Sequence, residues 1–382
     1  MQVPFVNQVF DKDDAKGSSL RLSELLFPDA ALVDERLDVK PLTQGTTNGL
    51  FKVTYRPFDA GDASTHDAVL VKVYGDGTDI TIDRNKELKV HQLLAENKLS
   101  SSPLVRFANG HAYQFIHGKT CSVSDMANPV IYRGVARELA RWHATLPIIE
   151  PKDPQSSLEH EPSVWATAKK WLDAIPSQPT RSKADKALLR EQFHYVTGKL
   201  LLNDDKPEPL VLGHGDLLCG NIIVQDLTEP TEAASVRFID YEHATYCPRA
   251  FELANHFAEW TGFECDYTLL PTRSTRRDFI HQYLAEIDRL QQDKDHAHIP
   301  SVSEAQVDHL MTQVDSFRGF PGFYWGLCAL IQAETSTGAI DFDYAGYAEK
   351  RLAEYWDWRR VHDGNVDADE GISQREERWA AA

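Results

Sequence analysis

The chain has 382 residues, five cysteines and a formal net charge of −18 at pH 7. The length allows a sizeable core divided between two lobes. The negative charge argues against a nucleic-acid partner, because phosphate binding requires a basic face. The cysteines form no Cys-x-x-Cys pair, which excludes a zinc ribbon or disulfide framework and predicts a reducing compartment.

The N-terminus has neither the basic nor the apolar region of a secretory signal. No apolar run reaches the ~18 residues that a membrane-spanning helix requires. We therefore expect a cytoplasmic protein without membrane insertion.

The first third of the chain predicts a small sheet with one main helix, preceded by a polar segment over residues 1–39. The expected elements are a short amphipathic helix around Leu20–Leu26, strands at 50–56 and 68–74, a helix from the N-cap Asp83 to about Asn97, and a hairpin whose turn is Asn109-Gly110. A hinge is expected at residues 118–120.

Beyond the hinge, helical spacing of apolar residues dominates. The expected helices cover 129–146, 163–175, 184–202, 275–292, 303–317, 323–336 and 345–361. The last residues are charged and poor in core side chains, which predicts mobility. The predicted domains are therefore an N-terminal extension with a sheet-rich lobe (1–117), a mostly helical lobe (118–361) and a mobile acidic tail (362–382).

A loop between two apolar segments carries three polar residues at a characteristic spacing. His214, Asp216 and Asn221 follow the apolar segment 210–213 in the pattern His-x-Asp-x-x-x-x-Asn. In kinase catalytic loops this Asp receives the substrate hydroxyl and this Asn holds Mg²⁺. The alternative for Asp216 is a loop aspartate that only caps a turn.

Two further carboxylates strengthen this interpretation. The predicted strand 235–239 ends at Asp240, and kinases place their second metal ligand at the end of the corresponding strand. Mg²⁺ prefers hard oxygen ligands, so Asn221, Asp240 and Glu242 are candidate metal ligands. The alternative for Glu242 is a surface carboxylate at a strand end.

Lys72 lies inside the otherwise apolar strand 68–74. A buried lysine requires an anion, and either ATP phosphates or Glu87 on the following helix can supply one. A Lys–Glu pair between strand and helix is a feature of kinases. The alternative is an edge strand in which Lys72 faces water.

These residues belong to blocks that resemble the choline/ethanolamine kinase family. The blocks are Val69–Gly75, Asp83–Glu87, His214–Ile223, Phe238–Tyr246, Ala254–Trp260, Phe323–Gln332 and Phe342–Tyr347. The resemblance extends from about residue 42 to residue 358 and implies an α+β, bilobal protein-kinase-like fold. Gly215 departs from the family, which usually has Asn there, and His-Gly-Asp is the form found in aminoglycoside phosphotransferase-like kinases.

The resemblance also implies roles for residues whose local pattern is uninformative. It implies that the loop binding the phosphates of ATP comprises Gly45, Thr46, Thr47 and Asn48. The segment that contacts adenine would comprise Gln114, Phe115 and Ile116. The site for the substrate cation would comprise Glu259, Trp325 and Tyr347, with Tyr344 as a further candidate. The alternatives are an ordinary hairpin turn for the first group, a core strand for the second and a core aromatic residue for Trp325.

The substrate cation distinguishes two branches of the family. A primary ammonium has three N–H donors and suits carboxylate acceptors, whereas a trimethylammonium suits aromatic faces. Cys328 stands where choline kinases place a second Trp, and Leu-Leu-Cys after Asp216 is similar to ethanolamine kinases. Both features favour ethanolamine, unless Tyr324 or Tyr344 restores the aromatic cage.

The sequence therefore predicts an ethanolamine kinase with ATP as co-substrate and Mg²⁺ as cofactor, forming phosphoethanolamine in the first step of phosphatidylethanolamine synthesis. The alternatives are a choline kinase, a dual-specificity enzyme or an aminoglycoside phosphotransferase-like kinase. A protein kinase is disfavoured because Asp-Phe-Gly and Ala-Pro-Glu are missing, and a scaffold is disfavoured because Asp216, Asn221 and Asp240 are all present. A monomer or a homodimer is compatible with the resemblance.

Overall fold

The computed structural model describes residues 3–27, 36–42, 48–55, 67–75, 77–150, 163–201, 208–225, 232–295, 302–336, 342–365 and 371–382. The chain divides into two compact units. Unit 1 comprises Met1–Asp79, Arg84–His117 and Ser336–Phe342, and unit 2 comprises Ile80–Asp83, Gly118–Thr335 and Asp343–Ala382. The change of unit after His117 falls where the sequence predicts a hinge.

Unit 1 contains a six-stranded sheet with the strand order β1-β5-β6-β4-β3-β2. Its strands are β1 (Phe5–Val6), β2 (Leu37–Leu42), β3 (Gly49–Tyr55), β4 (Asp67–Val73), β5 (Pro103–Phe107) and β6 (Gly110–Gln114). All pairings are antiparallel except that of β1 with β5. Helix α1 (Ala15–Leu26) precedes β2, and helix α2 (Arg84–Glu96) follows β4. Strand β4 is thus an interior strand of the sheet.

The N-terminal segment is part of the core of unit 1. Phe10, Leu22 and Leu26 are buried in the same apolar cluster as Val53 and Val71 of the sheet. The polar composition of residues 1–39 left open whether they dock, and the described residues 3–27 do so. Burial of this apolar surface stabilises the segment on the sheet.

Unit 2 contains two small sheets and most of the helices. The strands are β7 (Lys119–Thr120), β8 (Leu210–Gly213), β9 (Ile222–Val224), β10 (Val236–Phe238) and β11 (Thr245–Pro248), paired in the orders β10-β9-β7 and β11-β8. The α-helices are α3 (Pro129–Thr145), α4 (Val164–Ala174), α5 (Lys186–Leu201), α6 (Arg249–Ala258), α7 (Arg273–Asp295), α8 (Glu304–Phe317), α9 (Phe320–Thr335), α10 (Tyr344–His362) and α11 (Gln374–Ala380). In the described part of the chain, no helix is long and apolar enough to cross a membrane.

The end of the chain differs from the predicted mobile tail. Helix α11 buries Arg375 and Trp379, which are 1% and 4% exposed. The Trp379 Nε1–H donates to Asp315 Oδ1 at 2.7 Å, and the Arg276 guanidinium lies 3.9 Å from the Trp379 ring centroid. For residues 371–382 the expectation was wrong, because a single tryptophan and buried ion pairs dock a segment whose composition is mostly polar.

Candidate active site

The loop that follows β8 is held by a glycine and by a buried glutamate. Gly215 has a φ of +78°, and a Cβ there would lie 2.4 Å from the carbonyl oxygen of His243. Only a residue without a side chain fits this combination of φ and close approach. The carboxylate of Glu252 on α6 accepts from the backbone N–H of His214 at 2.9 Å and of Gly215 at 3.2 Å.

His214 connects this loop to the segment that carries the metal-ligand candidates. Its Nδ1 accepts from the backbone N–H of Asp216 at 3.3 Å, and its Nε2–H donates to the carbonyl oxygen of Ile239 at 2.9 Å. Burial lowers the pKa of His214 to about 4, so the ring is neutral and can serve as acceptor and donor at once. The ring of His214 therefore links the backbone of Asp216 to that of Ile239.

Asp216 lies among other carboxylates. Burial, followed by the negative charges of Glu259, Asp240 and Glu242, raises its pKa well above the usual range. The Asn221 Nδ2–H₂ group donates to the backbone carbonyl of Asp216 at 2.8 Å and to its Oδ2 at 3.2 Å. Such a concentration of negative charge favours the binding of cations.

The hairpin of β9 and β10 fixes the metal-ligand candidates. The Ile239 backbone N–H donates to the carbonyl of Asn221 at 3.0 Å, immediately before Asp240, whose φ is +65°. A positive φ is unusual for Asp and marks a backbone that its surroundings hold in place. Glu242 follows and is 5% exposed. Amide and carboxylate oxygens from Asn221, Asp240 and Glu242 are the donor set that Mg²⁺ prefers, so the residues fit this metal.

Helix α6 supplies positioning residues that the sequence analysis missed. Besides Glu252, Asn255 donates from Nδ2 to the carbonyl of Gly215 at 2.9 Å and accepts from the Trp325 Nε1–H at 2.9 Å. The His256 Nδ1–H donates to the carbonyl of Leu217 at 2.8 Å. The signal in the sequence is the spacing of Glu252, Asn255 and His256, which places three polar side chains on one face of an otherwise apolar helix, because buried polar side chains require partners.

Glu259, the predicted cation ligand, is paired with a buried arginine. It is 6% exposed, and its Oε1 lies 3.0 Å from an Arg351 Nη2 whose side chain is fully buried. Burial raises the pKa of Glu259, and the charge of Arg351 opposes this shift. The Arg351 Nη1–H donates to the hydroxyl of Tyr347 at 3.5 Å, which links two of the predicted substrate residues. Arg351 itself was not predicted.

Trp325 and the two tyrosines that could complete an aromatic cage, Tyr324 and Tyr344, differ in their burial. Trp325 is 9% exposed, and its ring centroid lies 5.1 Å from that of His243. Tyr324 packs into the core against Trp171 at 4.5 Å between centroids and is 1% exposed. Burial, and then the neighbouring Cys328 thiol, raises the pKa of the half-buried Tyr344.

Cys328 is close to the acidic residues. Burial raises the pKa of its thiol, and the charges of Asp216 and Glu242 add to this effect. Cys328 therefore lies in the electrostatic neighbourhood of Asp216 and Glu242. Of the two tyrosines that could complete an aromatic cage, Tyr324 belongs to the core, and a role for Tyr344 stays a prediction.

Unit 1 pairs the two predicted residues Lys72 and Glu87. The Lys72 Nζ lies 2.7 Å from Glu87 Oε1, and each residue is 2% exposed. The alternative in which Lys72 faces water is therefore wrong. Arg84, which was not predicted, donates to Glu87 Oε2 at 3.1 Å and to Asn48 Oδ1 at 3.1 Å. Asn48 thus belongs to the same network.

The adenine-segment candidates lie at the end of β6. Pairing with β4 sets Gln114 opposite Val69, and the Phe115 backbone N–H donates to Ala68 O at 3.0 Å. The Lys52 Nζ lies 4.1 Å from the Phe115 ring centroid, and Ile116 follows, half-buried. Three of the phosphate-loop candidates, Gly45, Thr46 and Thr47, lie outside the described residues.

The sheet-rich unit with its Lys–Glu pair and the helical unit with its His-Gly-Asp loop define a protein-kinase-like phosphotransferase. A model of the choline/ethanolamine kinase family matches residues 39–356. Ethanolamine kinase 1 of Mus musculus is 34% identical over 323 residues, which cover 82% of this chain and 82% of the mouse protein. The chain belongs to the choline/ethanolamine kinase family, and it is a phosphotransferase with an alcohol group as acceptor.

Solved structures give the same fold. An ethanolamine kinase of Plasmodium vivax superposes with a TM-score of 0.72 at 26% identity, covering 92% of this chain and 90% of that chain. A choline kinase of Cryptosporidium parvum superposes with a TM-score of 0.69 at 19% identity, covering 94% and 99%, and supports the fold alone. The predicted fold class and family are confirmed.

Proposed function

We propose that this protein is an ATP-dependent ethanolamine kinase, which transfers the γ-phosphoryl group of ATP to the hydroxyl of ethanolamine and forms phosphoethanolamine. The main support for this proposal is the concentration of carboxylates around Asp216. The negative charges of Glu259, Asp240 and Glu242, in addition to burial, raise the pKa of Asp216. A site with this charge suits a substrate that is itself a cation and a reaction that needs a second one, the metal.

Asp216 is the proposed catalytic residue. An alcohol is a poor nucleophile, and a carboxylate that accepts its O–H orients the oxygen for in-line attack and takes the proton. Asn221 donates two hydrogen bonds to Asp216, and the Asp216 backbone N–H donates one to His214 Nδ1, so these neighbours hold Asp216 in the loop. A carboxylate held this way loses little freedom when the substrate binds.

Asn221, Asp240 and Glu242 are the proposed ligands of Mg²⁺. When bound, the metal would neutralise negative charge on the phosphates of ATP. The backbone bond between Ile239 and Asn221 ties the two ligand-bearing strands together. This chain's contribution is thus a fixed set of hard oxygen donors.

Unit 1 supplies the residues proposed for ATP. Lys72, oriented by its ion pair with Glu87 at 2.7 Å, offers an ammonium to the phosphates. Asn48 and the neighbouring Gly45, Thr46 and Thr47 are proposed for the phosphate loop, and the backbone of 114–116 is proposed for adenine. Because the Phe115 N–H already donates to Ala68, other backbone groups of this segment would contact the base.

The ammonium of ethanolamine is proposed to bind Glu259, with Trp325, Tyr344 and Tyr347 around it. A primary ammonium can donate three hydrogen bonds, and a buried carboxylate is a strong acceptor for them. Cys328 occupies the position where a second aromatic face would favour choline.

A dual ethanolamine and choline kinase is the second candidate. Burial, and then Cys328, raises the pKa of Tyr344, and in this candidate function the Tyr344 ring would offer an aromatic face to a trimethylammonium group. A pathway role in phosphatidylethanolamine synthesis, a cytoplasmic location and a monomeric or homodimeric state remain predictions.

The test is product formation with purified protein, Mg-ATP and ethanolamine, followed by ³¹P NMR. We expect phosphoethanolamine from the wild type. We expect Asp216→Asn to lower kcat by about a hundred- to ten-thousandfold, the usual contribution of a positioned base, while nucleotide binding stays measurable by calorimetry. Normal turnover by this variant would contradict the role of Asp216, and a wild type that phosphorylates no amino alcohol would contradict the proposed function.

A further inference from the structure

A chain of buried charges of alternating sign runs from Glu259 to the C-terminal helix. Its members are Glu259, Arg351, Glu354, Arg375, Glu376 and Arg318. All of them belong to unit 2. Helix α11, which contributes Arg375 and Glu376, lies beyond the region that the family model matches, residues 39–356. This series of charges therefore connects the proposed ammonium ligand to a segment outside the residues that the family model matches.

The distances describe one shared guanidinium and one shared carboxylate. Arg351 lies 3.0 Å from Glu259 Oε1 through Nη2 and 3.5 Å from Glu354 Oε2 through Nε. The same Glu354 oxygen lies 3.8 Å from the Nε of Arg375. Arg351, Glu354 and Arg375 are all 2% exposed or less. Water therefore screens these charges little, and each one depends on its neighbours for compensation.

Neither oxygen of Glu354 has a hydrogen-bond partner among the described residues. Its compensation is thus purely by charge, from Arg351 on one side and Arg375 on the other. If Arg375 loses its charge, Glu354 and Glu259 compete for the single guanidinium of Arg351. Arg351 would then move toward Glu354 and leave Glu259 less firmly held.

Helix α11 has other anchors, which keep it docked without Arg375. Arg276 Nη2–H donates to the carbonyl of Trp379 at 2.9 Å, and the Trp379 indole donates to Asp315 at 2.7 Å. The Arg273 backbone N–H donates to the carbonyl of Ala381 at 2.8 Å. A change at Arg375 can therefore be separated from a loss of the helix.

We propose that Arg375 is a positioning residue for the substrate ammonium, acting through Glu354 and Arg351 on Glu259. This inference rests on the proposed function, in which Glu259 binds the ammonium. An anchored, charged Glu259 binds a primary ammonium better than a loosely held one, because less freedom is lost on binding. Without its share of Arg351, burial would also favour the neutral acid form of Glu259, which attracts a cation less.

The experiment compares KM for ethanolamine and for ATP in the wild type, Arg375→Met, Glu354→Gln and the double variant. We expect Arg375→Met to raise KM for ethanolamine roughly five- to tenfold and to leave KM for ATP unchanged, a size typical of coupling through a charge network. In the double variant, Glu354 is no longer an acid and does not compete with Glu259 for Arg351. The KM for ethanolamine should therefore return to within about twofold of the wild-type value.

The matched control is Arg378→Met, since Arg378 lies on the same helix but donates to the carbonyl of Leu270 instead. We expect no change in its KM for ethanolamine. An unchanged KM in a folded Arg375→Met, or an equally raised KM in the double variant, would overturn the inference. If Arg375→Met does not fold, Glu354→Gln and the double variant decide, because the inference requires equal KM values in these two.

Different results would refute the proposed function and the inference about Arg375. A wild type without ethanolamine phosphorylation refutes the proposed function and the inference with it. Wild-type activity combined with an unresponsive KM in Arg375→Met refutes the inference alone.

Discussion

Glu252 should make the stability of this protein depend on pH in a way that a single substitution removes. Its carboxyl is fully buried and accepts from the backbone N–H groups of His214 and Gly215. Burial raises its pKa from the usual 4.5 to about 7, although both hydrogen bonds act in the opposite direction. Between these two values the unfolded chain has lost the proton and the native state keeps it. The free energy of unfolding therefore falls as pH rises through this window.

The magnitude follows from the two pKa values. One pKa unit corresponds to about 1.4 kcal/mol, so the whole window from 4.5 to about 7 amounts to roughly 3 kcal/mol. The sequence pI is about 5.2, where low net charge promotes precipitation, so the accessible part of the window starts near pH 6. Between about pH 6 and about pH 8 the expected contribution is about 1 kcal/mol.

The assay is urea unfolding of the wild type and Glu252→Gln at both pH values. Gln keeps a carbonyl acceptor for the two N–H groups but does not ionise, so it lacks this pH dependence. Relative to the wild type, the variant should therefore gain about 1 kcal/mol in free energy of unfolding from the lower to the higher pH. The exposed Glu264→Gln is the control and should show no such gain. Parallel pH dependences of the wild type and Glu252→Gln would show that Glu252 does not cause the pH dependence of the stability.

Two further substitutions test the nucleotide and substrate residues. Lys72→Met should lower kcat/KM for ATP roughly ten- to a hundredfold, because it removes one charge-assisted contact of ~1.5–3 kcal/mol. The KM for ethanolamine should not change. The control is Lys40→Met, on an exposed edge strand, which should behave as the wild type. A kcat/KM for ATP that is unchanged in Lys72→Met would contradict the proposed role of Lys72. Cys328→Trp should raise choline use relative to ethanolamine by about two- to thirtyfold, since a desolvated cation–π contact contributes ~0.5–2 kcal/mol. Cys328→Ser should leave the ratio unchanged, and an equal ratio in both variants would place the selectivity elsewhere.

Local patterns in the sequence predicted most of the elements. The Asn109-Gly110 dipeptide correctly indicated a hairpin, although its turn is Ala108-Asn109, one residue earlier than predicted, because Gly110 already pairs with Phe107. The charged residue inside an apolar run indicated the Lys72–Glu87 pair, because a buried ammonium requires an anion. Both features could be predicted from the sequence because each depends on neighbouring residues or on one compensating charge.

Helix α6 shows a limit of periodicity. Glu252, Asn255 and His256 recur at helical spacing, but every residue from Ala250 to Ala258 is buried, so this polar face lies in the interior and not in solvent, where a helical period would place it. The positioning role of Glu252 was missed for a related reason. Its partners are backbone groups 37 and 38 residues earlier in the chain, and backbone donors leave no trace in the sequence.

The C-terminal helix shows a limit of composition. Arginine and glutamate are normally exposed, so Arg375 and Glu376 suggested a solvated tail. In the structure they are 1% and 4% exposed, because they are paired with each other at 2.7 Å and with residues far away in the sequence. Pairing of this kind depends on the tertiary fold and could not be predicted from the charged residues alone.

The proposed ethanolamine kinase activity is tested by the ratio of kcat/KM for ethanolamine to kcat/KM for choline. Both values are measured as ADP release by the purified wild type with Mg-ATP. In the proposed cation site, Glu259 is the acceptor for a primary ammonium, and Cys328 replaces the second aromatic face that would favour choline. We therefore predict a ratio clearly above one, and for Asp216→Asn a kcat lowered by about a hundred- to ten-thousandfold with either substrate. A preference for choline would contradict the assignment of the cation site, and release of ADP with neither substrate would contradict the proposed activity itself.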